Sequence, residues 1–136
     1  MGHINPDMDA FGSALGITRL IRNTNKETYI VINNVTESLS EIYRQAKETE
    51  LYTFINSEKA QNIVDKETLL IVLDTHRPSY TDCPALINMT DKIVVIDHHR
   101  KDEESVENPT LSYMESYASS TAELVTEILQ YSDEKK

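Results

Sequence analysis

Three short segments of this chain hold most of the side chains that are suited to catalysis. They are residues 3–9 (HINPDMD), 74–76 (DTH) and 97–99 (DHH) in a chain of 136 residues. Carboxylate oxygens with a few imidazole nitrogens suit hard divalent cations such as manganese and magnesium, whereas thiolates select zinc. The residue types therefore predict a site for two such cations, an arrangement that many hydrolases of phosphate esters use.

The spacing within these segments predicts how two ions would be shared. Asp7 and Asp9 are separated by one residue, so in an extended segment they point to opposite sides, one towards each ion. Asp74 can bridge both ions with its two oxygens and hold them roughly 3.5–4 Å apart, the separation at which a metal pair activates water. The predicted metal ligands are His3, Asp7, Asp9, Asp74 and His98.

Residues beside the predicted ligands are candidates for orienting them or for contacting the substrate. We expect Asp97 to orient a ligand and His99 to contact a substrate phosphate. His76 and Arg77 follow the bridging aspartate and are suited to holding the same phosphate, although a turn whose polar side chains face water is an equal alternative. The predicted catalytic residues are Asp74, His98 and His99, and the predicted substrate-binding residues are His76, Arg77 and His99.

The second and third segments each follow an apolar run that is too short for a helix. Strands are predicted over residues 28–33, 69–74 and 92–97, which are rich in β-branched side chains. Because the carboxyl ends of parallel strands meet at one edge of a sheet, Asp74 and Asp97 should emerge together there. A single aspartate at a strand end usually caps a turn. The joint occurrence of three such segments favours the metal site.

Helical patterns alternate with these strands. Apolar side chains at helical spacing predict helices over residues 10–23, 37–48, 57–64 and 119–129. Asp7 or Asp9 is available to cap the first helix, and the residues from Ser119 to Thr121 resemble a capped start for the last one. Strands that alternate with helices predict an α/β fold, with one mostly parallel sheet and helices on both of its faces.

The composition limits the partners and the compartment. The chain has 13 basic and 23 acidic residues, a formal net charge of −10, which argues against a broad basic surface for duplex nucleic acid. Bound divalent ions would still attract an anionic substrate locally.

Cys83 is the only cysteine, so an internal disulfide is excluded and a cytoplasmic module is expected. The longest apolar runs are far below the ~20 residues that cross a bilayer. A charged loop over residues 100–108 is expected to be mobile, and a tail over residues 132–136 to be frayed.

The motifs resemble those of a known family. Residues 2–13 (GHINPDMDAFGS) and 95–99 (VIDHH) resemble the DHH phosphoesterases, which include single-strand exonucleases, nanoRNA-degrading enzymes and family II pyrophosphatases. Within this family, the PDMD motif and residues 74–79 (DTHRPS) are most similar to the bacterial GdpP-type cyclic di-AMP phosphodiesterases. The resemblance implies that residues 1–136 are a partial DHH catalytic subdomain, and we expect the DHH-associated C-terminal domain to be absent from them.

The resemblance implies an activity, a cofactor and partners. It implies hydrolysis of cyclic di-AMP to pApA at a centre of two Mn²⁺ ions, with Mg²⁺ or Co²⁺ as substitutes. One ion is implied at His3, Asp7 and Asp74, and the other at Asp9, Asp74 and His98. The implied partner is a cyclic dinucleotide or a short linear dinucleotide. The parent protein is expected to be anchored on the cytoplasmic side of a membrane and to form a homodimer.

The same resemblance implies an incomplete site. The family's second ion takes a further aspartate from beyond the last helix, and a strand is expected before His3. We therefore expect a subdomain truncated at both ends that binds at least one ion and hydrolyses poorly alone. The alternatives are a nanoRNA or oligonucleotide exonuclease, a pyrophosphatase, and a catalytically incomplete metal-binding fragment. A signalling domain that uses Asp74 as its acceptor ranks last, because it leaves His3 and His98 unexplained.

Overall fold

The computed structural model describes residues 1–22, 24, 26–100 and 104–134. In chain order, its helices and strands are α1 (Met8–Arg22), β1 (Ile30–Val31), α2 (Ser40–Glu48), β2 (Phe54–Ile55), α3 (Ser57–Ile63), β3 (Leu69–Leu73), β4 (Lys92–Asp97), β5 (Leu111–Met114) and α4 (Thr121–Glu134). Short 3₁₀ turns lie at Glu37–Leu39, Pro78–Tyr80 and Pro84–Asn88.

The strands pair in parallel. The larger sheet contains β3, β4 and β5 in that order, with Leu73 opposite Ile96, while β1 and β2 form a separate parallel pair. Met1 lies along the other edge of β3, because its amine donates to the carbonyl of Ile71 and its carbonyl accepts the N–H of Leu73, at 2.9 and 2.8 Å. The predicted α/β fold with parallel sheets is confirmed.

Helices cover both faces of the larger sheet. Successive side chains of a strand point to opposite faces. On one face Val72 of β3 packs in a cluster with Ala60 of α3, and on the other face Leu73 packs in a cluster with Ile17 of α1 and Val125 of α4. With both faces covered by apolar packing, the polar segments collect at the carboxyl ends of the strands, where a parallel sheet holds its ligands.

The start of α1 is fixed by packing on a second side. Phe11 lies in the first turn of α1 and packs with Ile32 and Leu39. Its ring stacks on the ring of Phe54 at a centroid distance of 5.8 Å. Phe11 is only 2% exposed. A rigid first turn matters because the acidic residues of the first segment lie on it or just before it.

A glycine permits the close approach of α1 and α4. A Cβ atom added to Gly16 would lie 2.7 Å from Cγ1 of Val125, closer than real carbon contacts, whereas a Cβ atom added to Gly12 would meet nothing within 4 Å. The two glycines lie one helical turn apart on α1. The absence of a side chain at Gly16 therefore sets the distance between the helices.

The predicted and observed elements differ mainly at short strands. In the region predicted as a strand over residues 28–33, only Ile30–Val31 is a strand, and neither β2 nor β5 is predicted. β2 has two residues, and β5 is exposed along most of its length, so neither gives an apolar pattern. The first helix begins at Met8, and α4 continues to Glu134, so residues 132–134 of the predicted frayed tail are helical.

Two predictions fall partly outside the described residues. The predicted mobile loop over residues 100–108 includes residues 101–103, and the predicted frayed tail includes residues 135 and 136, none of which is described. Within the described ranges, no helix is long and apolar enough to cross a bilayer.

Candidate metal centre

The first segment is held against the turn that follows β3. The N–H of Ile4 donates to the carbonyl of Tyr80 at 2.7 Å, and the imidazole of His3 stacks on the Tyr80 ring at a centroid distance of 5.5 Å. Asn5 takes a left-handed backbone conformation with φ of 51°, which asparagine tolerates well. These contacts bring the segment to the end of β3, beside Asp74.

One half of the site surrounds His3. The Nε2 atom of His3 lies 3.5 Å from Oδ1 of Asp7 and 3.3 Å from Oδ2 of Asp74, and its Nδ1 atom donates to the carbonyl of Ile4 at 2.9 Å. The hydrogen bond to Asp74 raises the pKa of His3 to about 9, although burial acts in the opposite direction. In the metal-free protein, the protonated imidazole therefore occupies this half as a positive charge between two carboxylates.

The other half of the site surrounds His98. The Nε2 atom of His98 lies 3.4 Å from Oδ2 of Asp9 and 3.3 Å from Oδ1 of Asp74. The two oxygens of Asp74 thus face different histidines, each of which is accompanied by a further aspartate. The structure brings together all five residues that the sequence predicts as metal ligands, in the two sets that the resemblance implies.

Asp74 is held in an unusual position between the halves. It directly follows β3, is 3% exposed, and has a backbone φ of 64°. Its N–H donates to the carbonyl of Ile96 at 2.9 Å, and its Oδ1 atom accepts the hydroxyl of Thr121 at 2.9 Å. Burial acts to raise the pKa of Asp74, but the hydrogen bonds from His3 and Thr121 outweigh it, so this pKa lies below its usual value.

The start of α4 binds the carboxylate of Asp9. The N–H groups of Thr121 and Ala122 donate to the two oxygens of Asp9 at 3.0 and 2.7 Å. Burial raises the pKa of Asp9, while these two N–H groups partly offset that effect. Asp7, by contrast, accepts the N–H of Ala10 at 2.9 Å, so of the two aspartates available to cap α1 it is Asp7 that does so.

Sequence reasoning missed the part that Thr121 plays in the site. The residues from Ser119 to Thr121 are predicted as a helix start that could also receive an anion, with ordinary capping as the favoured role, and α4 begins at Thr121. The signal was the run of three hydroxyl residues itself, because hydroxyl and N–H donors at a helix start are suited to binding carboxylates or other anions. Nothing in the sequence shows that Asp9, 112 residues earlier in the chain, is the acceptor.

A second set of contacts lies behind the site, around Asp97. Asp97 is fully buried, and its Oδ2 and Oδ1 atoms lie 2.8 Å from Nδ1 of His76 and 2.6 Å from Nδ1 of His99. His76 is 3% exposed, whereas the side chain of His99 is 53% exposed. Arg77 is half exposed and forms an ion pair with Glu104. Of the three residues predicted to bind substrate, His99 and Arg77 reach the surface and His76 does not.

The donor set fits hard divalent cations. Ligands that share one octahedral ion lie roughly 3 Å apart, because each is about 2.0–2.1 Å from the metal, and the nitrogen-to-oxygen distances of 3.3–3.5 Å are close to that spacing. Two groups of potential ligand atoms each lie within 4.8 Å of one another, namely His3, Asp7 and Asp74, and Asp74, Asp97, His98 and His99. Carboxylate oxygens with two imidazoles are a donor set that suits a divalent cation.

Comparisons with known proteins agree with this chemistry. The family described as "DHH family, N-terminal domain" matches residues 1–136. The chain is 47% identical over 135 residues to cyclic-di-AMP phosphodiesterase GdpP of Bacillus subtilis and 39% identical over 136 residues to cyclic-di-AMP phosphodiesterase PdeA of Listeria monocytogenes. In both cases the match covers 96% of this chain and 20% of the relative, so the chain spans about a fifth of the length of these relatives.

A solved structure has the same fold. The crystal structure of an exopolyphosphatase-related protein from Bacteroides fragilis matches with a TM-score of 0.73 at 21% identity, over 96% of this chain and 38% of that one. At this identity the similarity concerns the fold alone. The match to the family description over residues 1–136, together with the motifs around His3, Asp74 and His98, shows that the chain belongs to the DHH family.

Proposed function

We propose that the protein containing this chain hydrolyses cyclic di-AMP to pApA with two Mn²⁺ ions held by His3, Asp7, Asp9, Asp74 and His98. The observation that carries the proposal is the placement of Asp74, whose two oxygens each face one histidine at 3.3 Å. The names of two relatives, both cyclic-di-AMP phosphodiesterases, support the choice of substrate. Membership of the DHH family implies divalent metal chemistry of this kind.

The charges of the site explain why cations are needed. Asp7, Asp9 and Asp74 converge at one edge of the sheet, and such a concentration of negative charge would repel a phosphodiester. A bound pair of divalent ions reverses the local field, supplies a water of lowered pKa and stabilises the charge that develops on the phosphoryl oxygens. The carboxylates themselves fix the geometry, because each is oriented by a hydrogen-bond donor of the fold.

Residues at the surface of the site are proposed to bind the substrate. His99 is half exposed, and its Nδ1 atom donates to Asp97, so its Nε2 atom points away from the buried carboxylate and donates to a phosphate oxygen when the ring is doubly protonated. Arg77 is half exposed on the turn after β3 and adds a fixed positive charge. Together, His99 and Arg77 offset the negative charge of a substrate that the three carboxylates alone would repel.

We attribute the catalytic chemistry to this chain, but not the recognition of the bases. The chain spans about a fifth of the length of its relatives, so recognition of the bases is proposed to depend on residues outside it. We expect the isolated chain to bind at least one ion and to hydrolyse poorly. We propose that the intact protein forms a homodimer and is anchored on the cytoplasmic side of a membrane. Fractionation of cells that contain a labelled intact protein tests the membrane anchor.

The test compares one buried carboxylate with one exposed carboxylate in the intact protein. Asp74→Ala should lower Mn²⁺-dependent hydrolysis of cyclic di-AMP by more than ~10³-fold, above the usual cost of removing one preorganised catalytic group. The control Glu58→Ala changes an exposed residue of α3 and should leave the rate unchanged. Retained turnover by Asp74→Ala would contradict the proposed role of Asp74.

The substrate is tested separately. Cyclic di-AMP, pApA and pyrophosphate should be compared on one preparation of the intact protein, and we expect the highest kcat/KM for cyclic di-AMP. Preferred cleavage of pApA would identify a short-oligonucleotide exonuclease instead, and preferred cleavage of pyrophosphate a pyrophosphatase. Binding of Mn²⁺ without hydrolysis of any of the three would identify a metal-binding module.

A further inference from the structure

The buried carboxylate of Asp97 joins two histidines that lie in different environments. Its Oδ2 atom is 2.8 Å from Nδ1 of His76, and its Oδ1 atom is 2.6 Å from Nδ1 of His99. Asp97 is fully buried, and a buried carboxylate is costly unless donors satisfy both of its oxygens. The two imidazoles meet this requirement, one on each oxygen.

The two histidines are not equivalent. The His99 side chain is 53% exposed and lies beside the metal-ligand candidate His98, with ring centroids 4.2 Å apart. His76 is 3% exposed, and its carbonyl accepts the N–H of Val106 at 3.0 Å, which fixes the backbone at this position. An imidazole enclosed in this way is poorly placed to meet a substrate phosphate, which arrives from solvent.

The orientation of His99 depends on the orientation of Asp97. A carboxylate with a single donor can rotate about the bond to its Cβ atom, whereas a carboxylate fixed at Oδ2 presents Oδ1 in one direction. The Oδ1 atom accepts from both the ring and the backbone N–H of His99, at 2.6 and 3.3 Å. A proton fixed on Nδ1 leaves Nε2 as the atom of His99 that faces the substrate.

We propose that His76 is a positioning residue, which fixes Asp97 and thereby sets the tautomer and the direction of His99. This inference rests on the proposed function, in which His99 contacts the phosphate, and it replaces the predicted substrate contact of His76. His76 and Arg77, which the sequence placed together as phosphate ligands, then have different tasks. Arg77 acts at the surface, and His76 acts from inside the fold through Asp97.

Two variants of His76 separate its hydrogen bond from its bulk. In His76→Asn the amide nitrogen is the same number of bonds from Cα as Nδ1, so the donor to Asp97 is kept, whereas His76→Leu fills a similar volume without a donor. In the intact protein, His76→Leu should lower kcat for cyclic di-AMP about 10–100-fold, the usual effect of losing an outer hydrogen-bond partner. Its KM and its Mn²⁺ affinity should change less than about threefold, and His76→Asn should recover most of kcat.

A double substitution tests whether His76 acts through His99. In a His99→Ala background, His76→Leu should have little further effect on kcat, because the group that it positions is absent. If His76→Leu kept full kcat, or if its effect added fully to that of His99→Ala, the proposal would be wrong. Should His76→Leu fail to fold, His76→Gln replaces it, since its amide nitrogen lies one bond too far along the side chain.

A spectroscopic measurement on the 136-residue chain needs no substrate. The chain has four histidines, so ¹⁵N spectra of labelled imidazoles can be assigned with single substitutions. At about pH 8, with Mg²⁺ present, His99 should carry its proton on Nδ1 in the wild type and in His76→Asn, and should give mixed tautomers in His76→Leu or His76→Gln. Mixed tautomers in the wild type would overturn this proposal and leave the proposed function standing. Failure of the wild-type intact protein to hydrolyse cyclic di-AMP would overturn the function and leave the tautomer result standing.

Discussion

The two halves of the candidate metal centre, one on each oxygen of Asp74, are built in different ways. On the His3 side, the donors come from a short loop, and the side chain of Asp7 is 63% exposed. On the His98 side, Asp9 accepts two N–H groups of α4, and Asp74 accepts the hydroxyl of Thr121. The first half therefore depends on the segment before α1 and on the end of β3, whereas the second also depends on α4, more than a hundred residues away from Asp9.

This difference indicates how each half responds to change. Oxygens that are already oriented by donors lose little freedom when an ion binds, and replacement of their partners is expected to weaken binding. The His3 half has fewer such partners, and a proton on His3 occupies the place of a cation. The His98 half should thus be sensitive to the packing of α4, and the His3 half should be sensitive to pH.

Removal of one histidine at a time should give the largest effect. In the intact protein, His3→Ala and His98→Ala should each weaken Mn²⁺ binding in their own half by more than ~100-fold, above the cost of losing an outer partner. Calorimetric titration should then report one tight ion instead of two. If either substitution released both ions, the two halves would behave as one inseparable site.

The next effect is the pH dependence of the His3 half. The pKa of His3 is raised to about 9, so below that pH a proton competes with the metal ion, and affinity should fall about tenfold per pH unit from 9 to 7. Titration of His98→Ala with Mn²⁺ in buffers of different ionisation enthalpy should show proton release. Because the folded pKa is above the unfolded one, the stability that His3 gives the metal-free protein is complete below about pH 6.5 and is lost towards about pH 9. An affinity independent of pH would contradict this assignment.

The link to α4 should give a smaller effect, confined to the His98 half. Thr121→Val removes the hydroxyl that donates to Asp74 and keeps the shape of the side chain, so Mn²⁺ affinity in that half should fall about 10-fold. Thr121→Ser keeps the hydroxyl and serves as the matched control. Equal losses for Thr121→Val and Thr121→Ser would show that packing rather than the hydrogen bond matters.

The smallest effect is expected for two glycines of α1 that differ in what surrounds them. Gly16→Ala places a methyl group 2.7 Å from Val125 and should destabilise the chain by about 1–3 kcal/mol, as overpacking does. Gly12→Ala meets nothing within 4 Å and should stabilise α1 by about 0.5–1 kcal/mol. Urea unfolding at constant m-value measures both changes. Equal stability of the two variants would contradict the close contact of α1 with α4.

The elements that hold the site could be predicted where the apolar pattern was long enough. β3 and β4 have continuous apolar runs, so both strands and the joint position of Asp74 and Asp97 at their ends follow from the sequence. β2 and β5 could not be predicted, because two residues carry no period and β5 is mostly exposed. Their existence depends on pairing with neighbours, which is a property of the tertiary structure.

The identity of the site residues was more predictable than their partners. Residue types and spacing indicate His3, Asp7 and His98, and the structure places them around Asp74. The sequence does not show that His76 is buried on Asp97, because the direction of a side chain on a turn depends on packing. Likewise, the sequence does not show that Asp9, in the first turn of α1, accepts N–H groups from the start of α4 rather than capping α1.

The backbone of Asp74 has a consequence for efforts to make the protein more robust. Its φ of 64° lies in the left-handed region, which aspartate and asparagine tolerate better than most residues with a side chain, and hydrogen bonds from His3 and Thr121 outweigh burial and keep its pKa below the usual value. Asparagine adopts such backbone angles readily and carries no charge. We expect Asp74→Asn to keep this backbone conformation but to melt at a lower temperature than the parent at neutral pH without metal, because it loses a charge that the fold stabilises, and to be unable to join two ions. Selection for thermal endurance would therefore retain the same carboxylate that joins the two ions.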